Sequence, residues 1–163
     1  MSIIDRLLQR LLRPAVDSLV REALDEHGVD QLYRYRVHGD RSRLHIDPTA
    51  VVNNALFNLS SGDISIGSYA FFGHNVAVLT GTHDINLFGP QRQTAIPSTG
   101  RDVVVEEGAW VASDALVLGP CTIGAHAVVG AGSLVMTDVD AHAVVAGRPA
   151  KKLRSVEPSQ DHS

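Results

Sequence analysis

Residues 108–135, GAWVASDALVLGPCTIGAHAVVGAGSLV, repeat with a period of six. An aliphatic residue stands at every sixth position from Val105 to Val135, and a mostly small residue lies two positions before each. A helix repeats at about 3.6 residues and a strand at about 2, so neither explains two correlated registers. The pattern predicts a solenoid of short strands that turns one aliphatic and one small side chain inward on each side. The registers are Val105, Val111, Val117, Ile123, Val129 and Val135, and Val103, Ala109, Ala115, Cys121, Ala127 and Ser133.

The same pattern occurs earlier, around Ile66 and Phe72, and is then interrupted. The step from Val78 to Val105 is not a multiple of six, so the chain must leave the solenoid between them. Residues 81–102, here called the excursion loop, contain Gly and Pro among polar residues. Long loops of this kind in compact domains are commonly functional, and His83 lies at the start of this one.

Composition excludes several classes of protein. The chain has 163 residues, of which 44% are hydrophobic, which predicts one domain with a core. A net charge of -4 argues against a nucleic-acid-binding protein. The single cysteine, Cys121, excludes an internal disulfide, and its register predicts a packed residue rather than a nucleophile. No apolar run approaches the roughly 20 residues that span a bilayer, and no signal peptide is evident, so we expect a cytoplasmic protein.

Three stretches together resemble the hexapeptide-repeat acyltransferases, especially the galactoside, maltose and nodulation sugar O-acetyltransferases. They are ISIGSYAFFGHNVAVLTGTHD (64–84), the repeat at 108–135 and VVAGRPAKKLR (144–154). The resemblance covers about residues 46–154 and implies a left-handed parallel β-helix, in which three hexads make one triangular coil. It also implies that the excursion loop projects from the coil and helps to form an active site between neighbouring subunits of a homotrimer.

The predicted organisation has three parts. Residues 1–30 carry an approximately helical apolar stripe that Pro14 should kink or split, and they form an N-terminal helical segment. Residues 31–154 form the β-helix, and the polar residues 155–163 form a disordered tail. Two interpretations of the helix stay open: it covers the first coil of the solenoid, or it contacts a membrane surface peripherally through its apolar face and its arginines.

The resemblance implies an acetyl-CoA-dependent O-acetyltransferase that acts on a sugar or glycan hydroxyl and needs no metal. His83 matches the family's catalytic histidine. A hydroxyl is a weak nucleophile until a base removes its proton, and histidine titrates near neutral pH. Asn53 and Trp110 match positions that contact the acceptor. Ser61 stands where several family members have an acceptor-facing aspartate, which leaves the acceptor undefined.

The donor site is predicted from the same comparison. CoA carries phosphates, which backbone N–H groups and cations bind, and GRPAKKLR supplies four cations near the C-terminus. A short basic cluster of this kind can equally be a solvated surface. Ser113 matches a position near the thioester, where it could stabilise an oxyanion. The residues that match the CoA path are Gly73, Ser113, Ala131, Met136, Thr137, Lys151 and Arg154.

Three alternatives stay open. The acceptor could instead be the amine of an amino-sugar or the hydroxyl of an antibiotic. The chain could be a γ-carbonic-anhydrase-like metalloprotein, although the His-x4-His spacing of that zinc site does not occur among its eight histidines. It could also be a non-catalytic trimer, since a fold does not fix a function.

Overall fold

The computed structural model describes residues 34–157, together with Ala15, Ser18, Leu19 and Glu22. The chain divides into two compact units, Met1–Arg34 and Tyr35–Ser163. In the first unit Ala15, Ser18, Leu19 and Glu22 are helical and exposed, and Arg34 is exposed and non-helical. The rest of the predicted N-terminal helix, including its kink and its membrane contact, lies outside the described residues. Where the structure describes the chain, it contains no helix long and apolar enough to cross a bilayer.

The second unit winds through three β-sheets, here called sheets I, II and III, and from β3 to β12 successive strands belong to these sheets in that repeating order. Sheet I consists of β1 (Arg36–His38), β3 (Leu56–Asn58), β6 (Ala77–Leu79), β9 (Leu116–Leu118) and β12 (Leu134–Val135). Sheet II consists of β2 (Leu44–Ile46), β4 (Ile64–Ile66), β7 (Val103–Val105) and β10 (Cys121–Ile123). Sheet III consists of β5 (Phe71–Phe72), β8 (Trp110–Val111), β11 (Val128–Val129), β13 (Ala143–Ala146) and β14 (Lys151–Ser155). A 3-10 turn (Arg41–Arg43) and one short helix, α1 (Gly89–Thr94), complete the described elements.

Strand pairing shows why the sequence period is six. Val105 pairs with Ile123, Val111 with Val129 and Val117 with Val135, so one coil contains three hexads. The ladders are parallel except at β13 and β14, which are antiparallel. These sheets meet at three edges, named here by the sheets that they join: the I–II, II–III and III–I edges.

The inward registers read from the sequence are confirmed. Every member of both registers is buried, and Val111, Val117, Ile123 and Val129 are 0% exposed. Ser133 is the polar member of the small register, and its hydroxyl oxygen accepts a hydrogen bond from the Gly147 N–H at 3.3 Å. The core is therefore a column of aliphatic side chains that no charged group enters.

The C-terminal boundary differs from the prediction. Strand β14 continues through Ser155, which pairs with Ala143, and the Val156 N–H donates to His142 O at 2.7 Å. The predicted start of a disordered tail at residue 155 is therefore wrong. The period of six ends before β14, so the hexad pattern contains no signal for this returning strand. Residues 158–163 lie outside the described residues.

Candidate active site

The excursion loop leaves the coil after β6 at the I–II edge and returns at β7. Buried polar contacts fix both ends of the loop. The Thr82 N–H donates to Ser61 Oγ at 3.3 Å, and the Arg101 N–H donates to Ser61 O at 3.2 Å. Arg101 Nε donates to Thr80 O at 2.9 Å, and both Ser61 and Thr80 are 0% exposed. Ser61 therefore supports the loop from inside, which gives this departure from the family pattern a structural role.

Two glycines let the returning chain approach the coil closely. A Cβ placed on Gly119 would lie 2.1 Å from the carbonyl oxygen of Arg101, and one placed on Gly62 would lie 2.7 Å from the same atom. Real Cβ atoms do not approach backbone oxygens so closely. The loop can therefore return at Arg101 only because Gly62 and Gly119, on the two neighbouring coils, have no side chains.

Arg43 attaches the second half of the loop to the first coil. Its Nε donates to Asp63 Oδ1 at 2.6 Å, and its Nη1 donates to Leu59 O at 3.2 Å and to Ser98 O at 2.9 Å. A guanidinium can make these bonds together because its donors lie in one rigid plane. The sequence offered no signal for this contact, because Arg43 and Ser98 are far apart in the chain.

His83 is exposed at the start of the loop, and one of its ring nitrogens is fixed by the backbone. Its Nδ1 lies 2.9 Å from the carbonyl oxygen of Arg92 in α1. A carbonyl oxygen only accepts hydrogen bonds, so Nδ1 carries the hydrogen in this contact. In the neutral ring Nε2 is then the unprotonated nitrogen, which is the form that a general base requires.

Four predicted site residues lie along the III–I edge: Asn53, Gly73, Ser113 and Ala131. Gly73 and Ser113 are in direct contact, since a Cβ placed on Gly73 would lie 2.4 Å from both N and Oγ of Ser113. The Ser113 hydroxyl oxygen accepts from the His74 N–H at 3.1 Å, so its own hydrogen can be donated elsewhere. This arrangement suits an oxyanion donor.

Asn53 also has a structural role in a turn of the coil. Its backbone is left-handed, with φ of 45°, and its side-chain nitrogen donates to Phe72 O at 2.7 Å. Asparagine tolerates this conformation better than most residues, so the residue has a turn-forming role whatever else it does. A contact with an acceptor would use its amide oxygen or its second amide hydrogen.

Trp110 lies on the outer face of sheet III, where it stacks on Phe71 with ring centroids 5.6 Å apart and an interplanar angle of 14°. The two side chains are 42% and 44% exposed. Their residues pair directly in the ladder between β5 and β8, and such cross-strand aromatic pairs stabilise sheets. Trp110 thus has a packing role and still presents an exposed aromatic surface.

The remaining predicted donor residues lie beyond the last coils. Met136 and Thr137 are exposed at the I–II edge and line a cavity of about 150 Å³ together with Asp138, Asp140 and Lys152. Lys152 forms an ion pair with Asp140 at 3.5 Å. Lys151 and Arg154 are exposed on β14 of sheet III. Their exposure allows contact with a phosphate.

The predicted residues therefore form separate groups within one chain. His83, Met136 and Thr137 lie on the I–II edge, because β6 and β12 both belong to sheet I and end on the same side. Asn53, Gly73, Ser113 and Ala131 lie on the III–I edge, where the strands of sheet I begin. Sheet I separates the two groups.

Cys121 is buried among the core residues. Burial, and to a smaller extent the neighbouring Asp138 carboxylate, raises the pKa of its thiol to about 11. A thiol is nucleophilic only as the thiolate, so this residue is chemically inert near neutral pH. Among the residues that the structure describes, no cluster of three or more His, Cys, Asp or Glu side chains is placed to hold a metal ion.

Comparison with known proteins identifies the sequence repeat and the fold. Residues 102–136 match the family model for the bacterial transferase hexapeptide (six repeats). The hexapeptide repeat of that family is therefore present in residues 102–136. The predicted resemblance and the left-handed parallel β-helix are both confirmed.

The hexapeptide-repeat chain is similar to acetyltransferases. It is 37% identical over 120 residues to serine acetyltransferase 2 of Arabidopsis thaliana, covering 74% of this chain and 35% of that protein. It is 33% identical over 108 residues to galactoside O-acetyltransferase of Lactococcus lactis, covering 64% of this chain and 51% of that protein. The chain thus spans between about a third and a half of the length of these relatives. In fold it is similar to a hexapeptide-repeat acetyltransferase from Vibrio cholerae solved with acetyl coenzyme A (TM-score 0.53, 24% identity, 86% of this chain and 79% of that chain).

Proposed function

We propose that this protein is an O-acetyltransferase that moves an acetyl group from acetyl-CoA to a sugar or glycan hydroxyl, with His83 as the general base. The observation that carries the proposal is the contact between His83 Nδ1 and the Arg92 carbonyl at 2.9 Å, which leaves Nε2 as the proton acceptor. Relatives that are named acetyltransferases support the reaction class.

The residues suit each step of the transfer. The acceptor hydroxyl gives its proton to Nε2 of His83 as its oxygen attacks the thioester carbonyl carbon. The negative charge that develops on the carbonyl oxygen is stabilised by the hydroxyl or backbone N–H of Ser113. The C–S bond then breaks, and the thiolate of CoA takes the proton back from His83, which restores the neutral ring. Lys151 and Arg154 would bind the phosphates of CoA, and Asn53 and Trp110 would contact the acceptor.

The test is thiol release from acetyl-CoA with a panel of sugars, including amino-sugars and aminated antibiotics. We expect His83→Ala to lose about 10²- to 10⁴-fold in turnover while CoA affinity and the melting temperature stay near wild type. His45→Ala, which changes an exposed histidine on β2, is the matched control and should leave turnover unchanged. Wild-type turnover in His83→Ala would reject the catalytic role. Transfer to amines alone would reject the proposed hydroxyl acceptor and show that the acceptor group is an amine.

The separation of site residues across sheet I supports a further part of this proposal, a homotrimer with its active sites between subunits. In such an assembly the I–II edge of one chain would face the III–I edge of its neighbour. Mixing His83→Ala with Ser113→Ala tests this, because a mixed trimer contains some intact sites when the two residues come from different chains. Activity should recover on mixing. Sedimentation as an active monomer, or no recovery, would contradict the trimeric site.

We also propose that the protein works in the cytoplasm, which its single cysteine and buried thiol favour. Fractionation of the source cells would test this, and recovery of the protein outside the cytoplasmic fraction would contradict it.

A further inference from the structure

Helix α1 holds the carbonyl that fixes His83, yet little holds α1 itself. The helix spans only six residues, none of them is buried, and its N-cap residue Phe88 makes no side-chain capping bond. Isolated helices shorter than about 12 residues are marginal in water. The position of the Arg92 carbonyl must therefore depend on contacts within the excursion loop.

The side chain of Arg92 joins α1 to the preceding part of the loop through two hydrogen bonds and one ring contact. Its Nε donates to Leu87 O at 2.5 Å and its Nη2 donates to Ile85 O at 3.1 Å. Its guanidinium carbon lies 4.7 Å from the centroid of the Phe88 ring, within the range of a cation–π contact. These contacts join α1 to the segment that directly follows His83.

One residue thus carries two linked roles. The backbone carbonyl of Arg92 binds Nδ1 of His83, while its side chain binds the carbonyl oxygens of Ile85 and Leu87. We propose that Arg92 is the positioning residue of the active site, which selects the Nδ1–H tautomer of His83 and so leaves Nε2 ready to accept a proton. The tautomer follows from the structure alone, and the effect on turnover rests on the proposed function.

The variants separate this role from a general effect on the loop. Arg92→Met keeps the aliphatic length and removes every donor and the charge. Arg92→Lys keeps the charge over Phe88 but lacks the planar donors that reach two carbonyls at once. Gln93→Met changes the next residue of the same helix, which is also exposed, and is the matched control.

The first measurement is the tautomer of His83 in the full-length protein, read from long-range ¹H–¹⁵N spectra and assigned with His83→Ala. Wild type and Gln93→Met should show the Nδ1–H form, and Arg92→Met should shift the population toward the Nε2–H form. An unchanged spectrum in Arg92→Met would overturn the proposal, even if that variant lost activity. This measurement needs no turnover, so it stands if the protein proves not to be an acetyltransferase.

The second measurement is steady-state kinetics. A small misplacement of a catalytic group can cost about 10²-fold in rate, so we expect kcat of Arg92→Met to fall by about 10- to 100-fold. The acceptor KM and the CoA affinity should change little, and Arg92→Lys should recover part of kcat. Equal losses in Gln93→Met and Arg92→Met would overturn the proposal. A wild-type protein that transfers no acetyl group would instead refute the proposed function.

Discussion

Val117→Asp tests the inward register on which the fold depends. Val117 is 0% exposed and pairs with Val78 and Val135 in sheet I, so the new carboxyl would enter an aliphatic column. Loss of the buried valine costs about 1.5 to 3 kcal/mol. Keeping the carboxyl protonated at pH 7, about three pH units above its ordinary pKa, costs about 4 kcal/mol more. The total of at least about 5 kcal/mol is comparable to the whole stability of a typical domain, so the variant should not fold at pH 7.

The assay is urea denaturation followed by circular dichroism at fixed protein concentration. Val104→Asp is the matched control, because Val104 is 38% exposed on the outer face of β7 and should lose no more than about 1 kcal/mol. Val117→Ala, expected to lose about 2 kcal/mol, gives a measurable value if the aspartate variant cannot be purified. The reasoning fails if Val117→Asp unfolds like wild type, or if Val104→Asp loses as much.

Other predictions concern the site and its neighbours. Cys121, with a thiol pKa of about 11, should resist iodoacetamide at pH 7.5 until the protein is unfolded, as read by mass spectrometry. Gly73→Ala should cost about 1 to 3 kcal/mol of stability and weaken CoA binding in calorimetry, because its Cβ would collide with Ser113. Prolonged dialysis against EDTA should leave activity unchanged, whereas zinc-dependent activity would favour the metalloprotein alternative.

The coil was predictable from sequence because each hexad repeats the same local requirement. An inward aliphatic such as Ile123 and an inward small residue such as Ala127 recur at fixed spacing, and both are 0% exposed. The interruption of the period also located the excursion loop, since a change of phase needs extra chain. Both signals depend only on residues that are close in sequence, so the spacing of residues is enough to detect them.

The contacts that hold the excursion loop in place could not be predicted from the periodicity of the sequence. Arg43 contacts Ser98 across 55 residues of sequence, and Arg92 binds carbonyls of a segment that has no repeat. Contacts of a side chain with backbone oxygens leave no pattern in the sequence, because every residue has a carbonyl. Ser61 could be identified as a departure from the family, but its contact with Thr82 depends on the three-dimensional path of the loop.

Two of the four buried polar residues in the described chain, Ser61 and Thr80, lie where the coil stops being regular. Within the repeating coils the backbone satisfies itself through parallel ladders, so the interior can be aliphatic. At the root of the excursion loop the ladder is interrupted, and the hydroxyl oxygens of Thr80 and Ser61 accept hydrogen bonds from the Ser61 N–H and the Thr82 N–H. The N–H groups of Ser61 and Thr82 are therefore paired where the loop diverges from the coil, and His83 directly follows this anchored root.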